Sequence, residues 1–166
     1  MFCISLFIEF CAVICGYKLP YLYLNHTQSL PRGIYLYLPC DESEYKIGDK
    51  VIFDLPQDIE RFALERGYIA EESTLFLKEI GALEGDCYET DKKTGRFYAA
   101  GKYIGQIFEY DSQGRDMPRS YGKKIVPKGD FLPVSEHSRS FDGRYVGTVP
   151  VSHVKGKAYP LFVEIF

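Results

Sequence analysis

Apolar positions along this chain come in short bursts. Tyr21-Leu22-Tyr23-Leu24, Ile34 to Leu38, Val51-Ile52-Phe53 and Thr74 to Ile80 are rich in aromatic and branched residues and bounded by Pro, Gly, Asp or Asn. That pattern predicts strands separated by turns. A Gly-Asp pair precedes an apolar or aromatic run at Gly48-Asp49, Gly85-Asp86 and Gly129-Asp130, as suits turns that feed antiparallel strands. Thr90 to Arg96 carries a hairpin signal and Asp111 to Ser120 reads as a loop. Helical spacing occurs at about Gln57 to Tyr68, through Ile59, Phe62, Ala63 and Arg66, with Gly67 as the stop signal. The expectation is a mainly β domain of antiparallel sheets with one short inserted helix and a polar, cap-like region at about 88–125.

The segment Met1 to Tyr17 breaks this pattern. It is almost wholly apolar, with Glu9 its only charge; it is shorter than the roughly 20 residues of a comfortable membrane span, yet too apolar for a surface helix. A signal sequence or uncleaved membrane anchor is expected over 1–17, with the folded domain over 18–166; a buried strand or helix is the alternative. Lys18, the first cation, follows the run, so charge bias does not orient it.

Composition narrows the partners. The 166 residues are 46% apolar and 26% charged, as for one globular domain. A net charge of −3, with no Lys/Arg cluster beside the 14 Tyr and 12 Phe, argues against nucleic acid; these aromatics suit a pleated, half-buried surface. Cys3, Cys11 and Cys15 sit in the apolar segment as small hydrophobes. Cys40 and Cys87 belong to the domain, and they pair in an oxidising compartment only if the fold brings them together. His26, His137 and His153 are scattered and no Cys-x-x-Cys occurs, so neither metal nor cofactor is expected.

Two residues suggest chemistry. Ser29 lies in Asn25-His26-Thr27-Gln28-Ser29-Leu30-Pro31-Arg32-Gly33-Ile34-Tyr35, and Lys78 is isolated in Leu75-Phe76-Leu77-Lys78-Glu79-Ile80. A serine hydroxyl is a poor nucleophile until a base takes its proton, and a lysine amine is such a base where apolar surroundings lower its pKa. Strand alternation puts Lys78 on one face with Phe76 and Ile80. The strand pattern alone favours a surface lysine beside Glu79, because lysine is rarely fully buried. A rival Ser/Lys pattern, Ser43-Glu44-Tyr45-Lys46 with Lys93-Thr94-Gly95, matches penicillin-recognising enzymes. Its serine falls in an acidic loop instead of opening a helix, Lys93-Thr94-Gly95 reads as a hairpin turn, and the Ser-Asp-Asn element is absent. A Ser-His-Asp triad through any of the three histidines is less constrained still.

The segment Ser29 to Tyr35 resembles the nucleophile box of the signal peptidase family, specifically its conjugative-transfer (TraF-type) branch, which matures pilin precursors. Gly48-Asp49-Lys50-Val51-Ile52-Phe53 is similar to the family's Gly-Asp-x-Val-x-Phe strand, Lys78 to Asp86 to its lysine box, and Ser140-Phe141-Asp142-Gly143-Arg144-Tyr145-Val146-Gly147 to its closing box. The order of the four boxes reverses the preference for a surface lysine. The resemblance implies Ser29 as nucleophile, Lys78 as general base, and an oxyanion hole from the Ser29 N–H and the Thr27 hydroxyl. It further implies Ser140 as the residue that orients the amine, and Asp142 with Arg144 as a structural ion pair. Gly143 replaces the second serine of the closing box, which puts the buttressing of the site in question. A helix ending Arg66-Gly67-Tyr68 is similar to one in the TraF-type branch.

The implied protein is a cofactor-free serine endopeptidase on the outer face of the cytoplasmic membrane. It cuts an exported precursor, pilin-like or bearing a signal peptide, whose extended segment adds as a strand beside the cleft. The alternatives are a general signal peptidase, a soluble self-cleaving Ser/Lys repressor (disfavoured by the apolar N-terminus and the lack of a DNA-binding domain), and an inactive membrane-anchored β module that binds secretion components.

Overall fold

A computed structural model describes residues 20–41 and 44–164. The expected membrane segment 1–17, its three cysteines and Ser43 lie outside the described residues.

The elements run β1 (Tyr21–Asn25), β2 (Gly33–Leu38), β3 (Lys50–Phe53), α1 (Gln57–Glu65), β4 (Phe76–Leu83), β5 (Cys87–Thr90), β6 (Arg96–Ala99) and β7 (Lys102–Gln106). There follow β8 (Gly122–Ile125), β9 (Asp130–Val134), α2 (Gly143–Val146), β10 (Val149–Pro150), a 3-10 turn (Val151–His153) and β11 (Val154–Val163). They build a seven-stranded sheet in the order β1-β2-β11-β3-β4-β9-β10 and a four-stranded sheet in the order β7-β6-β5-β8. Every strand pair is antiparallel. The mainly β, antiparallel expectation holds.

Packing explains why the apolar runs are continuous. Val51, Ile52 and Phe53 are all buried because β3 is covered on both faces. Ile52 and Leu77 join Leu30, Tyr35 and Ala158 on one face, while Val51, Phe53 and Ile80 join Ala63 of α1 and Phe131 on the other. Ala82, Leu132 and Val134 meet Phe97, Ala99 and Ile104 of the smaller sheet in a third cluster. Each buried Val, Leu, Ile or Phe side chain among them contributes about 1.5–3 kcal/mol, which fixes β4 as a rigid platform shared by all three clusters.

Three boundaries differ from the sequence pattern. Helix α1 ends at Glu65 rather than Tyr68, because Gly67 takes a left-handed φ of 68°. The Tyr68 and Gly67 N–H groups then turn back to the carbonyls of Ala63 and Leu64 at 2.8 and 2.9 Å, a Schellman stop. Strand β4 begins at Phe76 and continues past Ile80 to Leu83 across a bulge opposite β9. Gly81 permits this, since a Cβ there would stand 2.5 Å from Val134 Cγ1. Strand β11 carries no clean alternation because Gly156 lies against the Leu38 carbonyl and Pro160 stands at a bulge. It nevertheless occupies the middle of the large sheet. Cys40 and Cys87 are both free. Among the described residues no helix is long and apolar enough to cross a membrane.

Candidate active site

Ser29 sits in the loop joining β1 to β2, and a buried asparagine shapes that loop. Asn25 Nδ2 donates to the carbonyls of Thr27, Leu30 and Pro31 at 3.0–3.1 Å, while its Oδ1 accepts from the Thr27 N–H at 3.1 Å and the Thr27 hydroxyl at 2.8 Å. The Tyr35 hydroxyl adds a bond to Pro31 O at 2.8 Å. From the far side, Ser135 Oγ donates to the Ser29 carbonyl at 2.5 Å. Both faces of the peptide around Ser29 are thereby tied down.

Lys78 comes from β4 and is only 4% exposed. Its amine donates to Ser29 Oγ at 2.5 Å and to Ser140 Oγ at 2.8 Å, and the two hydroxyls are 3.2 Å apart. Burial is the main influence on the amine and pulls its pKa down to about 8; Asp142 opposes that shift and Arg144 adds to it. Glu79 points elsewhere and pairs with Lys50 at 3.1 Å, so it does not draw Lys78 to the surface.

Ser140 is carried by the loop between β9 and α2, and Asp142 with Arg144 sets the shape of that loop. The fully buried pair is bidentate, Nε to Oδ1 and Nη2 to Oδ2 each at 2.8 Å. The same guanidinium donates to the carbonyls of His137, Ser135 and Ser138 at 2.7–3.2 Å, and Asp142 caps α2 through the Arg144 N–H at 3.1 Å. Gly143 leaves no gap, since a Cβ there would lie 2.7 Å from both Leu132 Cδ1 and the Pro133 carbonyl. The loop is braced by close backbone packing where the sequence suggested a missing serine.

A family model described as signal peptidase, peptidase S26, matches residues 1–162. The chain belongs to this family. No curated protein sequence matches it. Peptidases of the signal peptidase family are serine endopeptidases acting on precursor proteins, and a buried amine bonded to a serine hydroxyl is equipped for proton transfer in acyl chemistry.

In this signal peptidase chain the cleft beside Ser29, Lys78 and Ser140 encloses about 640 Å³. Leu75, Phe76 and Leu77 form one side. There β4 pairs with β3, whereas its pairing with β9 begins only at Glu79, leaving Phe76 to Lys78 with an open hydrogen-bonding edge.

The Ser-x-x-Lys and Lys-Thr-Gly patterns fall elsewhere, while His137 lines the same cleft with its Nδ1 accepting the Arg139 N–H at 3.3 Å. Lys93 and Thr94 close the β5–β6 turn by donating backbone N–H bonds to Asp91 at 2.8 and 2.7 Å, Lys46 is exposed in the turn before β3, and His153 stands 3.1 Å from Asp54. Sequence reading missed Asn25 and Ser135. Asn25 ends a strand four residues before the serine, a readable turn signal; nothing in the sequence marks Ser135.

Proposed function

We propose that this chain is a Ser/Lys endopeptidase of the conjugative-transfer, TraF-type branch, maturing an exported, pilin-like precursor. The observation that carries the reading is the 2.5 Å contact of Lys78 Nζ with Ser29 Oγ across a sequence separation of 49. An inactive β module has no need of a desolvated amine against a hydroxyl. The helix stop at Arg66-Gly67-Tyr68 supports the TraF-type branch.

In the mechanism, neutral Lys78 takes the Ser29 proton as Oγ attacks the scissile carbonyl, and the resulting ammonium returns that proton to the leaving amine. Water, activated by the same amine, then hydrolyses the acyl-enzyme. Ser140 holds the amine in line. The Ser29 N–H and the Thr27 hydroxyl bind the oxyanion, Thr27 first turning away from Asn25. The precursor adds its cleavage segment to the open edge of Phe76 to Lys78.

A membrane location is supported by one sheet face. Leu22 stands opposite Leu36, and Leu24 opposite Ile34; Phe162 also faces Ile34. Leu22, Leu24 and Phe162 are 70%, 54% and 75% exposed. This apolar face includes the strand that follows the apolar run 1–17 in sequence, and would rest on lipid, the domain being extracytoplasmic.

The test is co-expression with candidate precursors from neighbouring genes, read by product mass. Ser29→Ala and Lys78→Ala should abolish cleavage with the circular dichroism unchanged, and Thr27→Ala should slow it about tenfold to a thousandfold. Activity surviving in Ser29→Ala would sink the reading.

A further inference from the structure

The cleft extends past the serine and lysine into a space walled by aromatic side chains. Tyr68, Phe141 and Tyr145 line it together with Phe108, Tyr110 and Met117 of the loop that joins β7 to β8. The rings are held in place. Phe141 stacks against Tyr145 and Phe62 and lies 5.2 Å from Tyr68. The Tyr145 hydroxyl accepts the Phe108 N–H at 2.9 Å.

One carboxylate joins the two walls. Asp111 Oδ2 accepts from the Tyr68 hydroxyl at 2.8 Å and from Arg115 Nε at 2.7 Å, while its Oδ1 accepts the N–H groups of Gln113 and Arg115 at 2.8 and 2.9 Å. Arg115 also donates to the Arg66 carbonyl at 2.7 Å, so the β7–β8 loop is fastened to the end of α1. Burial alone would raise the Asp111 pKa, but these bonds outweigh it and hold the carboxyl well below its usual range. The clamp therefore stays charged at any working pH.

Tyr68 and Tyr145 line the space with their hydroxyls engaged, and Tyr110 and Phe108 are 53% and 36% exposed beside them. Rigid, partly uncovered aromatics bind apolar groups without an ordering cost. The space is continuous with Ser29, so whatever fills it belongs to the chain being cut.

We propose that this part of the cleft receives a bulky apolar side chain of the precursor, with Asp111 as the positioning residue that holds its walls together. The proposal rests on the peptidase reading above. The test uses the full chain in detergent and peptides spanning a cleavage site mapped by product mass, each position around the cut bond occupied in turn by Ala or Phe. Cleavage is read by fluorescence, and binding to the Ser29→Ala chain by anisotropy. At one position Phe should raise kcat/KM and tighten binding about tenfold or more over Ala. Asp111→Asn, and independently Tyr68→Phe, should bring that ratio toward one in chains whose melting shows them folded. Cleavage with no Phe preference at any position, or a preference untouched by both substitutions, overturns the inference and leaves the peptidase reading intact. Phe-selective binding without cleavage does the reverse, and neither binding nor cleavage sinks both.

Discussion

At the scale of residues, Lys78 meets opposing demands. Burial makes its amine a base near neutrality and also makes the ammonium costly to keep. With a pKa of about 8, roughly a tenth of the amines are neutral at pH 7. Cleavage should therefore climb about tenfold from pH 7 to a plateau above about pH 9. A rate profile flat from pH 6.5 upward would point to another base, and Lys78→Arg should be inactive because guanidinium stays charged. The stability effect runs the same way. Because the folded pKa lies below the unfolded value of 10.5, the unfolded chain binds more protons between about pH 8 and 10.5, so stability rises with pH across that window. Below it the full penalty applies, on the order of 3 kcal/mol. Lys78→Met should therefore melt above the wild type at pH 7, with the gap closing as pH passes from 8 to 10.5; a lower Tm at pH 7 would contradict the assignment. Ser29, Lys78 and Ser140 stood out through the resemblance of their ordered boxes to the signal peptidase family, since the strand pattern alone favoured a surface lysine. Ser135 did not, since it holds a backbone carbonyl 106 residues away that only the fold brings near, and Asn25, a local turn signal, gave no sign that its amide would hold three carbonyls of the Ser29 loop.

At the scale of elements, the early strands and the single longer helix were readable from apolar runs and turn residues. Two of the departures come from close approach at glycine: Gly81 admits the Val134 side chain and Gly156 admits the Leu38 backbone, each at a distance no Cβ tolerates, whereas the end of α1 follows from the left-handed φ of Gly67. Gly143 belongs to the same class and yields a prediction. Gly143→Ser, which introduces the residue usual in the family, should lower stability by about 1–3 kcal/mol through overpacking against Leu132 and the Pro133 carbonyl. Urea denaturation of the two chains measures it, and an unchanged midpoint would show that the loop has slack.

At the scale of the whole molecule, the strand order could not be read from the sequence, because it depends on pairings between distant segments. Strand β11 lies between β2, which follows the Ser29 loop, and β3, which pairs with the Lys78 strand. Among the described residues, the β1–β2 hairpin pairs with the rest of the sheet through β11. Removing residues from Val154 onward should abolish activity and separate the hairpin from the rest, seen as fast hydrogen exchange in β1 and β2 while β4 and β9 stay protected. A truncated chain that still cleaves would show that the hairpin docks by itself.

The interposed strand also sets an order of assembly. Synthesis delivers Ser29 and then Lys78 before the segment that seats one beside the other. A nascent chain thus carries both reactive groups while having no cutting edge. Proteolytic competence is therefore expected only once β11 has taken its place between β2 and β3.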